Sequence, residues 1–263
     1  MPVDRKLLTE RFYVYDIPAW SCPTCGRGHL ALLDNTLPLM RPSASFRKLP
    51  LENYVEIEQD YGVFSLIAEC SYKECKEAFA VSGRYYTEMG VDDRNFEVSL
   101  TVCDPVAITP PIQPIKFPPQ CPDNVKDQFI SAFAIMWQDA NAALNRVRTA
   151  LELLLDHFGV PRKGVSPDKK GGRKLVRLNL HRRIERLAQT KKYVADVIPA
   201  LLAVKYLGND GTHDTSANLD DLFDALDVSE SLLARLFDPN HITTEQITSE
   251  ILKSKGRRKR KNT

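Results

Sequence analysis

At 263 residues the chain is longer than a typical single domain, and a hydrophobic fraction of 43% is enough for a sizeable core. Charged residues at 27% are ordinary for a soluble protein, and no run of eighteen apolar residues exists, which excludes a membrane-spanning helix by composition. The net charge of +2 conceals an asymmetry: the last eleven residues hold seven Lys or Arg and no acid, leaving 29 cations against 34 anions in residues 1–252.

The amino-terminal stretch MPVDRKLLTERFYVYDIPAW carries acids and no apolar block before a small-residue cleavage site. No secretory signal is expected, and a reducing, cytoplasmic setting is the expectation. Short β-type runs follow: RFYVYDI (11–17), YVEIEQ (54–59), YGVFSLIAEC (61–70), EAFAVSGRYY (77–86) and NFEVSLTV (95–102), bounded by Asn, Asp, Gly and Pro. NTLPLMRPSASFRKLP reads as a loop between them.

Within this region CPTCG and CSYKEC supply Cys22, Cys25, Cys70 and Cys75. Paired thiols in a reducing compartment point to metal before disulfides, and four soft thiolates suit tetrahedral Zn2+ as in a zinc ribbon. Two features depart from the usual ribbon: the second pair is spaced by four residues, and 44 residues separate the pairs. A long insertion adds little closure entropy, so the gap is tolerable. The competing reading is that Cys70 and Cys75 are ordinary reduced residues. His29 is a spare ligand candidate or a plain strand residue, and Cys103 and Cys121 fit no ligand pattern. A closed set of four thiolates leaves no open coordination position, so the zinc would be structural.

Residues 103–122, CDPVAITPPIQPIKFPPQCP, contain seven prolines and read as an extended connector at the domain boundary. From Asp123 the period becomes helical. Ile130, Phe133, Trp137, Leu144, Val147, Leu151, Leu154, Leu155 and Phe158 mark one long amphipathic helix or two collinear ones. PRKGVSPDKKGGRK reads as a basic loop. Leu180, Ile184, Leu187 and Ala188 mark the next helix. Val194 to Val204 mark another, kinked at Pro199 and ended at Gly208, and Leu219 to Phe237 mark a fourth. The expected fold is α+β: a small β-rich, zinc-ribbon-like domain (1–102), the connector (103–122), a helical bundle (123–240), and a short helix with a disordered basic tail (241–263).

Two polar groups stand out in the helical part. Arg148 and Glu152 share one helix face, either as a surface ion pair or as a charged pair at a cleft. In VKYLGNDGTHD the glycines and Asn209 suit a turn, whereas His213 is not required by it and is the side chain suited to proton exchange near neutral pH. The tail cations Lys253, Lys255, Arg257, Arg258, Lys259, Arg260 and Lys261 can neutralise phosphates, or serve only as a solubilising segment.

RTALELLL followed by LLAVKYLGNDGTHD, behind a cysteine-paired start and a proline connector, resembles the bacterial group called domain of unknown function 4145, usually placed with HEPN-like helical domains. Its elements here are Arg148-x3-Glu152 and Gly208-Asn209-x3-His213. The resemblance implies a four- to five-helix bundle that dimerises and associates with RNA in defence, toxin–antitoxin or stress systems. Many such members are metal-independent ribonucleases built on an arginine and a histidine. Carried over, His213 would be the acid/base, Asn209 would position it or the phosphate, and Arg148 with Glu152 would shape the site. Positions five to seven residues before His213, where the arginine would sit, hold Tyr206, Leu207 and Gly208, and the nearest upstream cation is Lys205. The expectation is therefore an RNA-associated binding or adaptor protein; an endoribonuclease and an interaction subunit of a defence complex are the alternatives.

Overall fold

The computed structural model describes residues 3–14, 16–41, 60–91, 94–167, 172–210, 217–238 and 244–254. A short helix, α1 (Arg5–Thr9), opens the chain, with the Asp4 carboxylate accepting from the Leu7 N–H at its start. The strands then come in order: β1 (Phe12–Tyr13), β2 (Leu30–Leu32), β3 (Leu39–Met40), β4 (Tyr61–Cys70), β5 (Ala78–Val91) and β6 (Glu97–Thr109). They form a six-stranded antiparallel sheet of order β1–β6–β5–β4–β2, with β3 also paired to β4. Strict alternation along β4 buries Phe64, Leu66, Ala68 and Cys70 and exposes Tyr61, Val63 and Ile67, so one face meets the core. The run at 54–59, read as a strand in the sequence, lies outside the described residues.

The sheet reaches further into the proline-rich segment than its composition suggested. β6 continues through Pro105 to Thr109, and Pro105 sits opposite Gly83 where the β5–β6 register shifts. A bulge is where a strand tolerates the missing proline donor. Gly83 is needed there, because a Cβ would lie 2.1 Å from the Asp104 carbonyl oxygen. The irregular connector therefore begins after Thr109, and Cys103 is a buried strand residue.

The helices are α2 (Asp123–Ile135), α3 (Ala140–His157), α4 (Leu180–Thr190), α5 (Ile198–Asp210), α6 (Leu219–Phe237) and α7 (Thr244–Ser254). Several expectations are corrected. The long apolar run at 130–158 is two helices packed side by side, separated because the Asp139 side chain caps α3 by accepting from the Ala142 N–H. Pro199 does not kink a helix; it lies in the first turn of α5, where its absent N–H costs nothing, after a 3-10 turn at Lys192–Val197. Gly208 does not end that helix, which runs on to Asp210. The basic loop after α3 is a two-stranded hairpin, β7 (Lys163–Pro167) with β8 (Arg173–Arg177). α6 opens with a reciprocal capping box between Asn218 and Asp221.

α5 packs against α3, α4 and α6, and α6 also meets α3. The buried apolar side chains form one cluster running from Phe12, Trp20 and Leu66 through Ile112 and Ile115 to Phe129, Leu151 and Phe223. The connector is part of this core. Ile112 and Ile115 are 3% and 2% exposed, and the Phe117 ring lies 5.7 Å from Phe129 and 6.2 Å from Phe133. Burial of each isoleucine contributes roughly 1.5–3 kcal/mol.

Helix α1 ties the two ends of the core together. The Trp20 and Trp137 indole N–H groups donate to the Leu7 and Leu8 carbonyls, at 3.0 and 2.9 Å, and the two rings lie 6.3 Å apart. These carbonyls belong to the last turn of α1 and need partners from outside the helix. On its other side Arg5 meets Asp220, Asp224 and Asp227, one stripe of α6. Among the described residues no helix is long and apolar enough to cross a membrane.

Candidate metal centre and the helical site residues

Each cysteine pair sits on a tight turn built by its own backbone. In the first, the Cys22 N–H donates to the Gly28 carbonyl and the Gly26 N–H returns to the Cys22 carbonyl, both at 2.9 Å. Gly26 closes the turn at φ 61°, a left-handed conformation that suits glycine. In the second, the Cys70 N–H donates to the Glu77 carbonyl at 2.8 Å and Lys76 takes the equivalent left-handed position at φ 52°. The two extra residues of CSYKEC are absorbed by a turn in which the Cys75 N–H donates to the Tyr72 carbonyl at 2.9 Å. In both turns the N–H two residues after a cysteine points at its sulfur: Arg27 to Cys25 and Tyr72 to Cys70, each at 3.4 Å.

The sheet joins the two turns, because β2 leaves the first and β4 runs into the second, with Leu30 paired to Cys70. The sulfurs of Cys22, Cys25, Cys70 and Cys75 all lie within 4.8 Å of one another. Cys25 and Cys70 are 3.6 Å apart and Cys22 and Cys75 3.9 Å. Four sulfurs at about 2.3 Å from one tetrahedral centre would stand about 3.8 Å apart, so the cluster has the size a metal ion requires. Backbone N–H groups of Gly28 and Arg27 hold the Cys25 thiol down at about 6, whereas desolvation lifts the Cys70 thiol to about 12.

Side chains brace the outside. Thr24 donates to Glu77, and Arg27 donates to the Tyr72 hydroxyl with its guanidinium over the ring. Gly28 is a steric requirement: a Cβ would lie 2.5 Å from the Cys70 sulfur and 2.7 Å from the Tyr72 nitrogen. His29 is not a fifth member, since its Nδ1 pairs with the Ser71 hydroxyl at 3.2 Å. Cys103 and Cys121 are solitary, and burial raises their thiols to about 12 and 11, which leaves them little thiolate character.

In the helical part, Arg148 and Glu152 are half-buried one turn apart on α3. Lys205 and Asn209 lie on α5, and these two helices are neighbours. Lys205 carries its ammonium 4.1 Å above the ring of Tyr206. Lys253 is exposed in the last turn of α7. His213 and the tail cations Lys255, Arg257, Arg258, Lys259, Arg260 and Lys261 lie outside the described residues.

Arg183 has a role that sequence reasoning missed. It is 2% exposed on α4, and its guanidinium donates to the Asp156 carboxylate at 2.6 Å and to the Val160 and Glu152 carbonyls at 3.0 and 3.3 Å. It thus ties the last turns of α3 to the Val160 backbone beyond them, at the end where the helix dipole favours a cation. Arg162 joins the same Asp156 carboxylate, and these two arginines, Arg162 foremost, hold it below the usual carboxylate range. The signal was present: Arg183 stands three residues after Leu180 and four before Leu187, on the apolar stripe of α4.

Residues 131–261 match the family model described as Domain of unknown function (DUF4145), the group named from the sequence, and residues 10–104 match a second, Domain of unknown function (DUF8608). The first span contains α3 to α7 and the β7–β8 hairpin; the second contains all four clustered cysteines. No curated protein and no solved structure matches the chain.

Proposed function

We propose that the protein is a nucleic-acid-associated binding or adaptor protein in which a zinc-stabilised sheet and a HEPN-like helical bundle form a rigid carrier for basic recognition segments. The observation that carries this reading is charge segregation. Residues 1–252 hold 29 cations against 34 anions, whereas the eleven that follow hold seven cations and no acid. Cations concentrated on one segment of an acidic body bind polyphosphate with a steep salt dependence. RNA is the class of nucleic acid the family resemblance points to, and bacterial defence or stress response is the setting it suggests, with a homodimer as the assembly.

Zn2+ is the ion we assign to the sulfur cluster, held by Cys22, Cys25, Cys70 and Cys75. Four thiolate ligands fill a tetrahedral shell, so bound zinc would supply folding energy and no open position for chemistry. Metal analysis of the purified protein should return about one zinc per chain. Binding should be tested with single-stranded RNA over a salt series; affinity that does not fall with salt would sink the charge-based reading.

The second reading is a metal-independent endoribonuclease with His213 as acid/base, working across a homodimer. It is favoured by Asn209 in the last turn of α5, four residues before His213, on a helix that packs on the one bearing Arg148 and Glu152. RNA cleavage in EDTA that disappears in His213→Ala supports this reading, and equal inactivity of both proteins removes it. A protein-interaction subunit of a defence complex fits the same geometry and would show neither RNA binding nor cleavage.

A further inference from the structure

The β7–β8 hairpin is a second concentration of positive charge, and its two strands are paired. Residues 161–178 contain Arg162, Lys163, Lys169, Lys170, Arg173, Lys174 and Arg177 against the single acid Asp168. The register pairs Lys163 with Arg177, Val165 with Leu175 and Pro167 with Arg173. Residues directly opposite in an antiparallel pair share a face, so Lys163, Val165, Arg173, Leu175 and Arg177 all project from one side. The other side meets the body: Gly164 is buried, and a Cβ there would lie 2.9 Å from Leu178 and 3.3 Å from Arg186 of α4. The outward side is open, with Val165 and Leu175 at 64% and 65% exposure and the three cations exposed beside them.

The base of the ribbon is fixed, and its outward charges are available. The Leu178 N–H donates to the Arg162 carbonyl at 2.9 Å, and the Arg162 side chain joins the Asp156–Arg183 pair at the end of α3. Lys163, Arg173 and Arg177 have no carboxylate partner among the described residues. Exposed cations flanking exposed apolar side chains, on a two-stranded ribbon whose base is tied to α3, are complementary to a polyanion with a groove.

We propose that the outward face of the β7–β8 ribbon is a docking surface for double-helical DNA, entering the major groove with Lys163, Arg173 and Arg177 on the flanking phosphates and Val165 and Leu175 toward the base edges. This rests on the nucleic-acid reading above and departs from it in one respect: the ribbon takes duplex DNA, whereas the family resemblance points to RNA. A two-stranded ribbon, with strands about 4.8 Å apart, fits the roughly 12 Å major groove of B-form DNA, and thymine presents a methyl group there for apolar contact. The major groove of A-form RNA is deep and too narrow for this entry. Single strands are held by stacking on aromatic rings, and residues 161–178 contain no aromatic residue.

The test compares the full-length chain with Lys163→Gln/Arg173→Gln/Arg177→Gln and with Leu175→Glu, using a short mixed-sequence DNA duplex, the matching RNA duplex and single-stranded RNA over a salt series. All four positions are exposed, and circular dichroism checks that folding is kept. The wild type should prefer the DNA duplex. The triple substitution should weaken that binding by at least about tenfold and flatten the salt slope by roughly one unit per lost phosphate contact, and Leu175→Glu should weaken it with the cations intact. Unchanged affinity and slope in both variants overturn the ribbon's role while the nucleic-acid reading stands. Preference for either RNA probe overturns the choice of duplex DNA. Binding to none of the three removes both proposals. Displacement of DNA by polyglutamate at equal charge concentration reassigns the ribbon to acidic protein partners.

Discussion

The sheet and the helical bundle bury apolar surface by different means. The bundle is closed by large side chains from several directions: Phe129 and Phe133 on α2, Leu151 and Leu154 on α3, Phe223 on α6. The sheet has one covered face, and its other face leaves Tyr61, Val63 and Ile67 exposed. Where the sheet meets its edge turns, four sulfurs occupy the place that packed hydrocarbon takes in the bundle. A one-sided sheet with a sulfur cluster at its edge should depend on an ion; a bundle with a packed interior should not.

The largest effect should come from removing the zinc proposed for the sulfur cluster. Chelation, or Cys70→Ser, should abolish the cooperative melting of the sheet and shift Trp20 fluorescence, while the helical circular dichroism largely persists. An apo protein that melts like the untreated one breaks the comparison. Gly28→Ala should act on the same centre more gently. Its Cβ would have to share space with the Cys70 sulfur, so metal affinity in a competition titration should fall by roughly 10–100-fold. Retained affinity would show that the turn yields without disturbing the thiolate.

Within the bundle, Arg183→Leu should cost about 3 kcal/mol in denaturant unfolding, because it removes a buried donor from the Glu152 and Val160 carbonyls and leaves the Asp156 carboxylate to Arg162 alone. The same network predicts a pH dependence. Arg162 and Arg183 lower the Asp156 carboxyl in the folded protein, so its stabilisation is full above the unfolded value of about 4 and is lost as pH falls through the folded one. Asp156→Asn should therefore be less stable near neutrality and lose less on acidification below about pH 4. A parallel pH profile for the two proteins would refute the assignment. The smallest effect concerns the join: Trp137→Phe keeps the ring but removes the bond to the Leu8 carbonyl, at a cost of about 1 kcal/mol. If metal removal then lowers bundle stability by as much as in the wild type, the indole bond does not couple the halves.

Local features were legible before the structure. The Cys22/Cys25 and Cys70/Cys75 turns, the strand period of residues 61–70 and the helical stripe around Leu151 depend on neighbours a few residues apart. Errors came where a distant partner overrode local preference. Residues 103–122 were read as a connector, yet the strand runs on to Thr109 because Gly83 across the ladder makes room for Pro105. The lysines and glycines of residues 161–174 were read as loop, yet cross-strand pairing and a base held by Asp156 make a ribbon. Arg183 drew no reading at all, because its acceptors are 23 to 31 residues away in the chain.

The amino-acid sequence by itself determined the two materials of this protein, the thiol pairs and the segregation of charge, since each is set by residue type and short-range spacing. Only the tertiary structure decided that the thiol pairs meet, that the proline connector lies inside the core and that one arginine ties the end of a helix to the backbone beyond it. Those outcomes depend on which surfaces the folded chain brings within a few ångströms, a distance that sequence separation does not encode.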